Sequence, residues 1–416
     1  MSEYKYKDSG VAWIGQIPEH WDTIKIKYTS WLKGRIGWQG LTSDEYQDEG
    51  AYLITGTDFC EGRINWDTCV HISEERFAED EDIHIKEGDL LITKDGTIGK
   101  VAVAKDCPDE VSLNSGVMLI RNTGDFKYHD QYLYYTLLSD EFWDWYEMSQ
   151  TGASTIRHLY QEQFYTFEYA YPSVEEQKII ASYLDKKVNA INESIKELES
   201  TIEEYQKWKA SVIYKAVTQG IDDSLQMKET DLPGNPSIPI DWFVTRFKYV
   251  ISIKSGDAIR NEELIDEGAC PVYGGGEKIG YTNKSNCGDG DILVGRVGAR
   301  CGITTIITED SWATDNALVI STDNHSKYVY YLLTAANLNS LNTSNAQPLI
   351  TATKVKNCYC AYTDDILMQE RIAEFIDNKC QEIDELIQEK ELLIQDMVKY
   401  KKSLIFEVVT GKRKVV

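Results

Sequence analysis

Gln177-Lys178-Ile179-Ile180-Ala181-Ser182-Tyr183-Leu184-Asp185 is answered later in the chain by Gln369-Glu370-Arg371-Ile372-Ala373-Glu374-Phe375-Ile376-Asp377. Each stretch opens a long helical pattern. In the first, Leu184, Val188, Ile191, Ile195, Leu198, Ile202 and Tyr205 step by alternating fours and threes. In the second, Ile376, Cys380, Ile383, Ile387, Lys390, Ile394 and Met397 take the corresponding places. An apolar period of about 3.5 residues marks a coiled-coil seam. An arm of roughly 45 residues would extend about 65–70 Å. A lone helix cannot bury such a stripe, so the two arms are expected to pack on each other, antiparallel, through these positions. Lys390 interrupts the second seam and is expected to snorkel or to specify register. The alternative is two independent amphipathic helices, each lying on its own domain.

Outward from the arms, the globular parts repeat as well. Tyr6-Lys7-Asp8-Ser9 and Ile17-Pro18-Glu19-His20-Trp21 match Met227-Lys228-Glu229-Thr230 and Ile238-Pro239-Ile240-Asp241-Trp242 at a single offset. Further on, Gly88-Asp89-Leu90-Leu91-Ile92 matches Gly290-Asp291-Ile292-Leu293-Val294, and Tyr132, Tyr134, Tyr135 and Leu137 match Tyr328, Tyr330, Tyr331 and Leu333. The offset shrinks along the chain because the middles differ in length. Apolar runs bounded by Gly and Asp turns read as buried strands at 51–54, 90–92, 101–104 and 117–120, then at 292–294, 304–307 and 318–320. Helices are expected over 132–145 and 328–335. The fold class is therefore α/β, a mixed α+β unit used twice, with an internal pseudo-twofold repeat. The organisation is 1–172, first globular domain; 173–220, first arm; 221–240, linker around Pro233-Gly234-Asn235-Pro236; 241–362, second globular domain; and 363–416, second arm.

The 416 residues, 42% hydrophobic and 27% charged, suit two soluble domains that each bury a core. No run of 18 apolar residues appears and the N-terminal stretch lacks a signal peptide's apolar core, so the expected location is the cytoplasm, away from membranes. Nine scattered cysteines without an export signal read as reduced thiols. The net charge of −25 argues against simple electrostatic capture of nucleic acid. The arms are each nearly neutral, so the globular parts carry almost all of it. Any DNA contact must then come from local basic loops, with partner proteins neutralising much of the phosphate.

Catalytic patterns are missing. Gly96-Thr97-Ile98-Gly99-Lys100-Val101 has too short a glycine spacing for a phosphate loop, and Val101 stands where the metal-binding hydroxyl belongs. Asn235-Pro236-Ser237 stops short of an adenine-methyltransferase motif. Cys358-x-Cys360 lacks the second pair of a zinc site, and the six histidines show no ligand spacing. The chain is expected to be no enzyme and to hold no metal or cofactor.

Binding chemistry gathers in three loop neighbourhoods per copy. After the Gly-Asp strand, Lys94, Thr97 and Lys100 in copy one and Arg296 and Arg300 in copy two sit among glycines that let a ligand approach the backbone. Lys and Arg hold phosphates, and Arg also reads guanine edges. The second neighbourhood offers Lys33, Arg35 and Trp38, answered in part by Lys254. The third lies before each arm: Arg157 and His158, then Gln347, Thr351 and Lys354. Ordinary solvated turns use the same residue types. Scaffold positions repeat while loop chemistry diverges, which suits two readers of different sequences.

The order Ile17-Pro18-Glu19-His20-Trp21, then Gly88-Asp89-Leu90-Leu91 with Gly96-Thr97-Ile98-Gly99-Lys100, then Pro172-Ser173-Val174-Glu175-Glu176-Gln177-Lys178-Ile179-Ile180-Ala181 resembles the specificity subunits of type I restriction–modification systems. The resemblance covers nearly the whole chain and recurs in both halves. It implies two target-recognition domains, each reading half of an interrupted site on double-stranded DNA. It implies long helices that set the spacing and dock two modification subunits, joined by two restriction subunits. S-adenosylmethionine, ATP and Mg would reside on those partners. The second copy departs at Ser237-Ile238-Pro239-Ile240-Asp241 and at Asp364-Asp365-Ile366-Leu367-Met368, which lacks the proline-led entry of Pro172 and leaves the start of the second arm open. Rival readings are a non-DNA coiled-coil scaffold, favoured by the acidic balance, and a decoy that occupies modification subunits without productive recognition. A methyltransferase fusion fails for want of a catalytic motif.

Overall fold

The computed structural model describes residues 5–35, 41–123, 126–150, 157–222, 224–232, 234–235, 237–341 and 349–415. The chain forms two compact units that do not follow chain order: Met1–Glu197 with Leu392–Val416, and Leu198–Glu391. The first long helix, Val174–Gln219, and the second, Ile366–Val409, are thus each divided between the units.

In the first unit the central sheet has the strand order Ser30–Gly34, Val117–Asn122, Leu90–Thr93, Val101–Val103, Arg63–Ile64, Phe59–Cys60. Its middle strands carry the unbroken apolar runs Leu90-Leu91-Ile92, Val101-Ala102-Val103 and Val117-Met118-Leu119-Ile120 because both faces are covered there. Leu90, Ile92, Met118 and Ile120 point into a core shared with Tyr132, Phe142, Trp145 and Phe164. Leu91, Ala102, Val117 and Leu119 point the other way, onto a smaller core beneath the sheet Val111–Leu113, Ala51–Ile54, Val70–Ile72. The two-residue alternation of a strand sends neighbours to opposite cores. Asp89 of the Gly-Asp turn is structural: it accepts from Arg121 Nε at 2.8 Å and from Lys86 N at 2.7 Å.

The second unit repeats this plan with fewer parts. Ser252–Ser255, Ala317–Ser321, Ile292–Gly295 and Thr304–Ile306 form the central sheet, and Glu277–Thr282, Cys270–Gly274 and Trp312–Ala313 the smaller one. Ile292, Val294, Leu318 and Ile320 face the helical side, while Leu293, Ala317 and Val319 face the other. All the strands expected from the apolar runs are present. Two expectations need correction. The helix expected over 132–145 is two helices, Asp130–Leu138 and Asp140–Ser149, because Ser139 turns extended (ψ 163°) and its hydroxyl caps the carbonyl of Thr136 at 2.7 Å. The stretch expected as linker carries a hairpin, Met227–Glu229 with Ser237–Pro239, which is the counterpart of Tyr6–Asp8 with Gln16–Pro18.

Local chemistry sets the ends of the long helices. Ser173 and Glu176 form a reciprocal cap at the first N-terminus, Glu176 N donating to the Ser173 hydroxyl (3.3 Å) and Ser173 N to the Glu176 carboxylate (3.2 Å). At the second, Asp365 accepts from Leu367 N and Met368 N, which fixes the start that its sequence left open. Gly220 (φ 83°) and Gly411 (φ 72°) end the helices in the left-handed region where a side chain would be strained. The first unit buries Ile180 and Leu184 of one helix with Leu404, Ile405, Val408 and Val409 of the other. Each such side chain contributes on the order of 1.5–3 kcal/mol. The second unit likewise buries Ile213, Ala216 and Val217 with Ile372, Ala373, Ile376 and Cys380. Lys401 Nζ donates to Asn192 at 2.9 Å in the first unit, and Lys209 Nζ to both Asp384 oxygens at 2.7 Å in the second.

All eleven proposed seam residues, Leu184, Val188, Ile191, Ile195, Leu198, Ile202, Ile376, Ile383, Ile387, Ile394 and Met397, are buried or half-buried. Lys390 is half-buried, with its ammonium 3.5 Å from the Glu389 carboxylate, so it snorkels along the seam.

Candidate nucleic-acid interface

The three loop neighbourhoods, far apart in sequence, meet at one end of the central sheet in each unit. Strands Ser30–Gly34 and Leu90–Thr93 both run antiparallel to Val117–Asn122, so their C-terminal ends emerge side by side. Lys94 N then donates to Gly116 O (2.9 Å), and Lys94 O accepts from Leu159 N (3.0 Å). That second bond stitches the post-strand loop to the segment before the first long helix. Gly34 lies against the Lys94 stem, where an added Cβ would stand 3.2 Å from Lys94 Cε.

The second unit makes the same bonds. Arg296 N donates to Asn316 O (3.0 Å), and Arg296 O accepts from Ile350 N (2.9 Å). Val297 and Leu349 form a bridge alongside. Ser255 and Arg296 approach to 3.5 Å between hydroxyl and guanidinium. Lys94 and Arg296 therefore occupy one scaffold position, a cation at the same sheet end in both copies.

The side chains have different fates. Arg35 is 2% exposed and donates to Leu113 O (3.0 Å) and Ser112 Oγ (3.1 Å), so it clasps the smaller sheet instead of facing solvent. Burial is the main cause that pulls its pKa below the ordinary arginine value, with the like charge of Arg76 adding to it. Lys33 pairs with Asp82 (3.0 Å), and buried Lys94 lies 3.6 Å from Asp95. Thr97 is exposed, and its carbonyl accepts from Thr93 Oγ1 (2.6 Å). Lys100 reaches Gly56 O (3.0 Å), which closes the glycine loop on the protein's own backbone. Arg157 is exposed and paired with Glu147 at 2.5 Å, and His158 is hydrogen-bonded to Asp95.

In the second unit, exposed Lys254 donates to Asn286 O (2.8 Å). Arg296 donates to Asp315 O (3.1 Å), and Arg300 stands 3.8 Å from Glu277. The Nε of Arg296 and of Arg300 are buried with no hydrogen-bond partner among the described residues. Thr351 caps the helix Ala352–Asn357, accepting from Lys354 N, and Lys354 Nζ donates to Leu341 O (2.9 Å). Trp38 and Gln347 lie outside the described residues.

Sequence reasoning missed the carboxylates: Asp82, Asp95 and Glu147 each hold a candidate cation of the first unit. The exposed Arg157–Glu147 pair is of the kind that contributes little to stability, so the guanidinium can exchange its carboxylate for another anion. The −25 net charge is therefore partly expressed as local pairing at the sheet ends themselves. Among the described residues, no helix is long and apolar enough to cross a membrane.

Comparison with known proteins adds the family. The sequence profile of the type I restriction modification DNA specificity domain matches residues 39–204 and again residues 239–395. The MjaVIII type I restriction enzyme specificity subunit of Methanocaldococcus jannaschii is 26% identical over 260 residues, covering 61% of this chain and 54% of its own length. The putative MjaX specificity subunit of the same organism is 26% identical over 319 residues, 70% of each chain. The chain thus spans about half the length of the first relative and more of the second. A solved chain, from work on the complex assembly and conformational transition of a type I R-M system, superposes with a TM-score of 0.67 at 16% identity, over 95% of this chain and 99% of its own. That likeness establishes a shared fold. With the family profile falling once on each repeat of a twice-built α/β unit, the chain belongs to the type I restriction–modification DNA specificity family.

Proposed function

We propose that this chain is the non-catalytic recognition subunit of a type I complex, each unit reading one half of an interrupted DNA site through the loops at its sheet end. The observation that carries this reading is the convergence of three loop neighbourhoods at the same sheet end in both repeats, on matched backbone bonds but with different side chains. A fixed scaffold with divergent loops is what two readers of unlike half-sites require. Arg157, Lys100 and Lys254 have the reach to meet phosphates, and Arg296 and Arg300 have the chemistry to read guanine.

The antiparallel long helices serve on this reading as the ruler between half-sites and as the docking surface for modification subunits, which carry S-adenosylmethionine and methylate adenine. Restriction subunits add ATP- and Mg-dependent steps. Because Lys33, Lys94 and Arg157 are held by Asp82, Asp95 and Glu147, and the chain's net charge is −25, tight DNA binding needs the partner subunits to neutralise phosphate. The acidic balance is also the observation that favours the scaffold reading. One experiment separates the two. The complex with its modification subunit is selected against randomised DNA, alongside its Arg296→Ala and Arg300→Ala variants. Recognition predicts a two-part site whose second half alone is relaxed by the substitutions. A scaffold or decoy yields no selected sequence.

A further inference from the structure

We propose that the second unit holds a binding site for a planar aromatic small molecule bearing an N–H or O–H donor, at the place that the first unit fills with its own aromatic side chains. The site is an apolar cavity of ≈ 540 Å³ lined by Tyr214, Gly234, Leu332, Cys358, Tyr359 and Cys360, among others. That size lies within the range of small-molecule pockets, about 300–1,000 Å³. The proposal is independent of DNA recognition.

The internal repeat shows what is missing from the cavity. Ile14 N donates to Val11 O (3.1 Å), and at the same offset as the opening hairpins Asn235 N donates to Leu232 O (3.0 Å). Gly234 is thereby the counterpart of Trp13. In the first unit Trp13 packs on the core and its indole N–H donates to Glu168 O at 2.7 Å. The counterpart of Glu168 is Tyr359, since Glu168 pairs with Lys25 and Tyr359 with Arg246. In the same way Ile26 N donates to Phe167 O and Phe247 N to Cys358 O, so Cys358 and Cys360 replace the fully buried Phe167 and Tyr169.

The first unit also continues into Asp140–Ser149, which contributes Phe142, Trp145 and Tyr146 to its core. Among the described residues, the second turns at Asn337 (φ 45°) into the short turn Leu338–Leu341. A tryptophan, a phenylalanine and a tyrosine have become glycine and two cysteines, and each of the replacements lines the cavity. Tyr214 in the lining suits an aromatic guest, and the Tyr359 backbone position that corresponds to the acceptor of the Trp13 indole suits a donor on it.

The test uses the full chain with indole as probe and cyclohexanol as a non-planar contrast, read by saturation-transfer NMR and calorimetry. Saturable indole binding is expected, with cyclohexanol weaker by at least about tenfold. Cys358→Phe and Cys360→Tyr, which restore the first unit's residues, should each weaken indole by at least about tenfold. A second readout needs no variant: indole should slow alkylation of half-buried Cys358 and leave half-buried Cys107 of the first unit unaffected. Absence of saturable binding, equal binding of the two probes, undiminished binding by folded variants, or unprotected Cys358 would each overturn the proposal.

Discussion

Replacing Gln177 with methionine should loosen the join between the first long helix and its domain. Gln177 is fully buried. Its Oε1 accepts from His129 N at 2.9 Å, and its Nε2 donates to Pro172 O at 2.9 Å. One side chain thus ties the first turn of the long helix, the start of Asp130–Leu138 and the end of the strand Glu168–Tyr171. Methionine keeps the length and bulk, so packing changes little. What is lost is a partner for one part-buried N–H and one buried C=O, at about 1–3 kcal/mol for each group left unsatisfied. Taking the part-buried donor at the low end gives a sum of about 2–4 kcal/mol. Native-state hydrogen exchange reads this locally: amides of Asp130–Leu138 should exchange about 30- to 1,000-fold faster. The repeat provides the control. Gln369 accepts from His325 N (2.9 Å) and donates to Thr363 O (2.8 Å), so Gln369→Met should act on Ser326–Ala335 and leave Asp130–Leu138 alone. Exchange in Asp130–Leu138 unchanged within about threefold in Gln177→Met would mean that Gln177 does not hold this join, since a buried pair of hydrogen bonds cannot be removed at so small a cost.

Other consequences follow from single sites. Glu141 is fully buried, accepts from Ala170 N at 2.9 Å, and has its other oxygen buried without a partner; burial pushes its pKa up to about 8. The folded state then holds a proton that the unfolded state releases from about pH 4.5, so stability falls as pH rises toward 8 and levels beyond it. Glu141→Gln should flatten that decline, with a gain at pH 9 of up to about 4–5 kcal/mol; denaturant titrations at pH 5 and pH 9 check it, and parallel pH profiles would count against it. Leu184→Ala should cost about 2–4 kcal/mol in urea unfolding, while Ile195→Ala, at a half-buried seam position, should cost about half as much; equal losses would contradict the burial gradient. Arg157→Ala, in the complex with the modification subunit, should reduce the salt slope of DNA binding by about one while sparing sequence preference; an altered preference would instead make Arg157 a base reader.

Much of the architecture was legible because its signals are periodic or repeated. The 3.5-residue steps of Leu184 and Ile376 announced the long helices, and the runs Leu90-Leu91-Ile92 and Ile292-Leu293-Val294 announced strands covered on both faces. The break at Ser139 was hidden, since a serine within an aromatic-rich stretch reads equally as helix interior or cap. The hairpin at 227–229 and 237–239 was masked by the Pro-Gly-Asn-Pro composition around it. The candidate site was only half legible. Glycines and cations identified the loops, but pairing across the sheet brought Lys94 to Leu159 and Arg296 to Ile350, and no local pattern encodes such a contact. Arg35 illustrates the limit: its neighbours in sequence suggest a binding loop, and its burial against Leu113 and Ser112 makes it a clasp. Ion pairing of Arg157 with Glu147 spans a stretch of sequence with no charge pattern to announce it.

Whether this chain determines which DNA sequence a type I complex modifies is read by single-molecule methylome sequencing of a methylation-free host. The host would express the modification subunit alone, or with this chain, or with this chain after one globular unit is exchanged for that of a relative. A bipartite motif with methyladenine in both halves is expected only with this chain, and the exchange should reassign one half alone. A stable complex that adds no methylated motif, or an exchange that alters both halves together, would contradict that role of the chain.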